Sequence, residues 1–215
     1  MRLAKTLSKW TLLTLFLFSG CVRAQNPDIR WLRSINVDRN QNLDRPFEFI
    51  SQSSYPMSIA IPISVYGIGL LKQDSTIRRK GMYIAGSVAV TAGLTYAVKY
   101  TVNRQRPFET YPEIIQLTEA TSSSFPSGNT SIAFSVATAL SLAYPKWYVT
   151  LPSFAWASAV GYSRMHLGVH YPSDVIAGAA IGAGSAFLSH WLSKKFFETY
   201  DAKMKKSRMK KGQSN

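Results

Sequence analysis

The sequence predicts an all-α protein, a membrane-embedded bundle of five or six transmembrane helices. Three observations predict it. Five runs free of charged residues cover 49–71, 81–98, 120–145, 147–163 and 175–193, and each can hold a membrane helix of ~17–25 residues. Several are rich in Ala, Gly and Ser, as in Gly178-Ala179-Ala180-Ile181-Gly182, a composition that lets helices approach closely within a bilayer. No stretch alternates apolar and polar residues as a half-buried strand would. A soluble bundle of buried helices is the competing architecture, and a mean hydropathy of −0.04 leaves room for it.

In chain order, Arg2, Lys5 and Lys9 precede the apolar run Trp10 to Phe18, and Val22-Arg23-Ala24 resembles a small-residue cleavage site. Residues 1–24 therefore read as a secretory signal, or as an uncleaved first helix. Phe18-Ser19-Gly20-Cys21 is an imperfect lipoprotein box. The single cysteine, Cys21, excludes an intramolecular disulfide framework and a multi-cysteine zinc site. Residues 25–48 form an exported segment in which Ile29, Leu32 and Ile35 recur every third position, the pattern of a short amphipathic helix lying at the membrane face. The membrane domain occupies 49–193, with Pro145, Pro152 and Pro172 near run boundaries. A basic tail, 194–215, follows.

The net charge of +14, from 25 Lys or Arg against 11 Asp or Glu, invites a nucleic-acid partner. Its distribution argues otherwise. Loops 72–80, Lys146 and 194–215 carry thirteen Lys or Arg, whereas the opposite side of the alternating topology carries eight. Cytoplasmic loops of membrane proteins hold such an excess. The expectation is a multi-pass protein of the cytoplasmic membrane, with the exported side facing the periplasm or exterior and the tail at anionic head groups. The bilayer is its expected partner, with no nucleic acid; the oligomeric state is left open.

Three polar clusters fall on the exported side. They are Lys99 to Pro107, Ser123 to Thr130, and Ser163 to Asp174. Lys99, Arg106 and Arg164 would converge there without an equal number of carboxylates, which suits a phosphate, because Arg forks onto oxyanions and Lys adds a point charge. Ser127-Gly128 at a helix start can present backbone N–H groups to the same anion. His170 and Asp174 stand one helical turn apart, so the carboxylate can orient the imidazole and favour its cationic form. Such a histidine can act as nucleophile on phosphorus or as a base.

Together these clusters resemble the three-part signature of the type 2 phosphatidic acid phosphatase and vanadium haloperoxidase superfamily. Lys99, Arg106 and Pro107 match the first part, and Pro126-Ser127-Gly128 begins the second. Ser163, Arg164, His170 and Asp174 match the third. The resemblance spans roughly 49–193. It implies a membrane lipid phosphatase in which Lys99, Arg106, Arg164, Ser127 and Gly128 hold the phosphoryl group. His170 would attack phosphorus to form a phospho-histidine, Asp174 would orient it, and neither metal nor cofactor is required.

The departure is Asn129, which stands where the family has the histidine that protonates the leaving group. A positioned acid contributes ~10²–10⁴-fold. Three outcomes are open. Asn129 could penalise lipid monophosphates, whose alkoxide needs a proton, more than lipid diphosphates such as undecaprenyl diphosphate. His166 could substitute as the acid, or be a non-catalytic residue facing lipid head groups. The chain could also bind phosphorylated lipid without turnover. A soluble periplasmic acid phosphatase and a vanadium haloperoxidase are the competing activities.

Overall fold

A computed structural model describes residues 25–212; the signal-like segment with Cys21, and residues 213–215, lie outside them. All regular structure among the described residues is helical. Helix α1 spans Gln25–Asn36, a 3₁₀ turn Gln41–Leu43, α2 Asp44–Gln52 and α3 Ser54–Leu71. Helix α4 spans Ser75–Val102, α5 Pro107–Thr110, α6 Gly128–Ala143, α7 Trp147–His166 and α8 Pro172–Gly212.

Three helical segments are long and apolar enough to cross a membrane, within Ser54–Leu71, Ser75–Thr110 and Pro172–Tyr200. That is fewer than the five or six expected from uncharged runs. Lack of charge overstates hydropathy where Ser, Thr and Gly abound, and in 120–145 the first eight residues are loop, so α6 has only 16 residues. It is the central helix of the bundle. Most of its side chains are buried, and it packs against α3, α4, α7 and α8.

Local chemistry sets the element ends. Asp74 caps α4 by accepting from the Thr76 and Ile77 amides, satisfying N–H groups that a first turn leaves free. Asn103 closes α4 in the left-handed conformation, φ 44°, which Asn tolerates better than most residues. Helices α6 and α8 run parallel at backbone contact. A Cβ on Gly182 would lie 2.1 Å from Ser131 O, and one on Gly178 would lie 2.7 Å from Ser127 O. The small-residue composition is thus used for one specific helix pair.

Lys99, Ser127, Arg164 and His170 all fall at one end of the bundle. At the other end Lys80 sits 4.1 Å over the Tyr144 ring and Arg79 lies 4.8 Å over Phe197. Helix α8 continues without a break through most of the expected basic tail, to Gly212.

The apolar stripe of α1, expected to face lipid, packs on the protein's own loops. Ile29 and Leu32 are buried with Ile114 and Tyr171, and Asn36 exchanges hydrogen bonds with both backbone groups of Ile115. Helix α1 closes over the site end.

Candidate active site

Four helix ends build the site. Lys99 lies in the last turn of α4, Arg164 in the last turn of α7, Ser127 caps the start of α6, and His170 and Asp174 flank the start of α8. Two helix amino ends, which favour anions, therefore meet two carboxyl ends carrying cations.

Arg106 is 4% exposed and fixed on three sides. Its Nε donates to Ser122 O at 2.7 Å, its Nη1 donates to Val169 O at 2.7 Å, and the same Nη1 stands 3.5 Å from His170 Nε2. Lys99 Nζ donates to Ser123 O. Arg164 Nη1 donates to Ser51 Oγ at 2.5 Å, while its buried Nε has no hydrogen-bond partner among the described residues. Such an orphan is costly to bury, and an anionic oxygen is the natural acceptor.

Asp174 is fully buried and heavily bonded. Its Oδ1 accepts from Arg104 at 2.7 Å, and its Oδ2 accepts from Ser124 Oγ at 2.5 Å and the Tyr171 amide at 3.0 Å. Oδ2 also lies 3.5 Å from His170 Nδ1, longer than a formed hydrogen bond; such contacts tighten when substrate binds. This arrangement selects the tautomer with the proton on Nδ1 and leaves the Nε2 lone pair toward Arg106.

The expectation that Asp174 would favour a cationic His170 is corrected. Burial pushes the imidazole down to about 3, and the charges of Arg164 and Arg106 act in the same direction, against the pull of Asp174. Sequence showed the partner but not the depth of burial. A neutral imidazole is the form that can attack phosphorus.

The Ser127 N–H donates to Asp174 O at 3.0 Å, so that amide is engaged within the protein; its hydroxyl pairs with Thr130 at 2.8 Å, where either oxygen can be the donor. Ser127 locks α6 to α8. Gly128 begins the open turn, and a Cβ there would come within 3.8 Å of Lys99 Cε and 3.4 Å of Tyr55 Oη.

Asn129 Nδ2 donates to Ser51 O at 3.1 Å and Ser54 Oγ at 2.8 Å, tying α6 to the α2–α3 junction. His166 neither faces head groups nor joins the phosphate cluster by any described bond. It is 2% exposed, its Nε2 is 2.7 Å from Asp44 Oδ1, and its ring packs at a tilt against Phe47, with centroids 4.7 Å apart. Burial acts to raise the Asp44 carboxyl, but hydrogen bonds from Arg39 and His166 hold it below the ordinary carboxylate range. His166→Gln should therefore cost roughly 1–3 kcal/mol of stability with turnover at the active site retained. Thermal unfolding in detergent beside a phosphate-release assay checks this.

Sequence reasoning missed Asp28, Ser51, Tyr55 and Ser124, and gave Arg104 no role. Arg104 bridges Asp174 and Asp28 Oδ2, the latter at 2.9 Å, and lies 3.8 Å over the Tyr171 ring. The place of Arg104 inside the first cluster, between Lys99 and Arg106, was the available signal.

The model of the PAP2 superfamily matches residues 80–198, which contain Lys99, Arg106, Ser127, Arg164, His170 and Asp174. The chain belongs to the PAP2 superfamily.

PAP2 relatives agree with the fold and its setting. An undecaprenyl-diphosphatase of Sulfolobus acidocaldarius is 30% identical over 188 residues, covering 84% of this chain and 88% of the relative. The crystal structure of Aquifex aeolicus LpxE superposes with a TM-score of 0.65 at 26% identity, covering 75% of this chain and 93% of that one. A transmembrane PAP2-type phosphatidylglycerolphosphate phosphatase from Bacillus subtilis gives a TM-score of 0.68 at 24% identity, with 85% and 96% covered. The PAP2 resemblance and the all-helical membrane fold inferred from sequence are thereby borne out.

Proposed function

We propose that this PAP2 protein is a membrane phosphatase that hydrolyses a phosphorylated lipid through a phospho-histidine on His170. The observation that carries this is the convergence of Arg106 on His170 Nε2, at 3.5 Å, with Asp174 behind Nδ1. Lys99, Arg106 and Arg164 would neutralise the equatorial oxygens, the main electrostatic task in phosphoryl transfer. His170 Nε2 bonds to phosphorus as the bond to the leaving oxygen breaks. Water then attacks phosphorus, the N–P bond breaks, and phosphate departs.

A lipid substrate is supported by the setting as well as by the relatives. A cavity of about 500 Å³ opens beside Lys99, lined by Tyr96, Tyr100, Asn103, Ser122 and Ser123. An apolar groove of about 610 Å³ runs between α3 and α4 from Ser58 past Pro62 and Ala89, suited to a hydrocarbon chain. The charge asymmetry supports a site facing the periplasm or exterior. The Sulfolobus relative favours a prenyl diphosphate within this class.

The test is phosphate release by the purified, detergent-solubilised protein from undecaprenyl diphosphate, phosphatidic acid, phosphatidylglycerol phosphate and a lipid A phosphate. Turnover of at least one lipid is expected, with the protein retained in a carbonate-washed membrane pellet. Release from water-soluble phosphate esters alone, by a protein found in the soluble fraction, would favour a periplasmic acid phosphatase.

A further inference from the structure

We propose that Tyr55 donates the proton to the leaving oxygen, the task that a histidine at the Asn129 position performs in the family's motif. The inference rests on the phosphatase function proposed above and goes beyond it by naming the acid that the sequence lacks.

The geometry is specific. Tyr55 stands in the first turn of α3, and its hydroxyl reaches across to α6, 3.4 Å from the Cβ position of Gly128, a position that also lies 3.8 Å from Lys99 Cε. It lies within electrostatic range of both Arg106 and Arg164. The hydroxyl thus belongs to the same cluster as all three phosphate cations, while half the residue's surface stays open at 51% exposure. A leaving group carrying a lipid can reach it there.

Asn129 explains why Tyr55 is held there. Its amide bonds Ser54 Oγ and Ser51 O, the neighbours that fix the α2–α3 junction from which Tyr55 projects. Ser51 also receives Arg164. An amide cannot give up a proton, but it can place the residue that does. Asn129 is on this account a positioning residue.

The proton balance closes without another reactant. As His170 Nε2 forms its bond to phosphorus, the P–O bond breaks and the departing oxygen takes the Tyr55 proton. The resulting phenolate is stabilised by Lys99, Arg106 and Arg164. When water attacks the phospho-histidine, its proton returns to the phenolate and phosphate leaves. Phenols are stronger acids than alkyl alcohols, so the first transfer runs downhill to an alkoxide. A lipid phosphate leaving from a diphosphate, with a second pKa of ~6, needs little such help.

The experiment compares wild type and Tyr55→Phe on two substrates in the same preparation, phosphatidic acid and a prenyl diphosphate. Rates on the monoester should fall by ~10²–10⁴-fold while those on the diphosphate change little. Their ratio does not depend on how much of the variant is folded. Asn129→Ala should move the ratio in the same direction. Equal losses on both substrates would make Tyr55 structural and overturn the inference, as would an undiminished monoester rate. Wild-type protein releasing phosphate from neither lipid would instead overturn the phosphatase function itself.

Discussion

Replacing His170 by alanine should lower phosphate release by about 10⁴-fold or more, the scale seen when a nucleophile is removed from a unit of residues that act together. The loss should fall on kcat, because the cations proposed to hold phosphate have their own anchors. Arg106 hangs on Ser122 and Val169 O, Lys99 on Ser123, and Arg164 on Ser51. Binding of vanadate, as a phosphate analogue, should therefore survive. Rapid acid quench of wild-type enzyme with labelled lipid should trap an acid-labile phospho-enzyme that His170→Ala lacks. A variant that still accumulates it would move the nucleophile to another residue. Because burial pushes His170 to about 3, its protonation should not produce an acid limb near 6.5. The imidazole of the free enzyme stays neutral down to that lower pH, and any fall in kcat/KM near pH 6 should instead follow ionisation of the substrate phosphate.

Asp174→Ala should cost both activity and stability. Three protein donors converge on the Asp174 carboxylate, from Arg104, Ser124 and the Tyr171 amide, and the side chain is fully buried. Removing one partner of a buried ion pair costs about 3–5 kcal/mol, since the other charge is left uncompensated. Arg104 retains Asp28, which places the expected loss toward the lower end. Asp174→Asn separates the two effects. It preserves shape but cannot hold the proton on His170 Nδ1, so kcat should fall by roughly 10³–10⁴-fold, as when a triad carboxylate becomes an amide. Detergent-phase unfolding curves and kcat for the two variants check the division. If Asp174→Asn retained wild-type kcat, Asp174 would be a structural residue alone.

The sequence made the motif residues visible because each sits at a fixed spacing next to a helix end. Lys99 and Arg106 bracket the exit from α4, and His170 and Asp174 bracket the entry to α8. A linear pattern can carry that much. Tyr55 and Ser51 approach from a helix junction more than 70 residues before Asn129, and ordinary Ser and Tyr side chains carry no spacing code. Asp28 arrives from α1, which packs against the bundle through α7 and α8. The charge state of His170 was misread for a related reason. A neighbouring carboxylate can be counted in a sequence, but its effect depends on burial, which only the assembled fold sets. The start of α6, by contrast, was legible, because Pro126-Ser127-Gly128 reads as a turn and cap before a helix, and the structure begins the helix at Gly128 with Ser127 as its cap.

The backbone contact between α6 and α8 has a mechanical consequence. With Gly178 and Gly182 against Ser127 and Ser131, and the Ser127 amide bonded to Asp174 O, there is no compressible side-chain layer between these helices. The turn at Ser127-Gly128 and the start of α8, which carries Asp174 beside His170, therefore move as one stiff block. The α2–α3 junction meets that block through side chains, at Asn129 and Arg164, and is the compliant partner. On the proposed mechanism, a lipid arriving along the groove beside α3 flexes the junction that carries Tyr55 while the α6–α8 block keeps its own geometry. Slow amide exchange along the facing turns of α6 and α8, with faster exchange at 50–55, is the signature of that difference in stiffness.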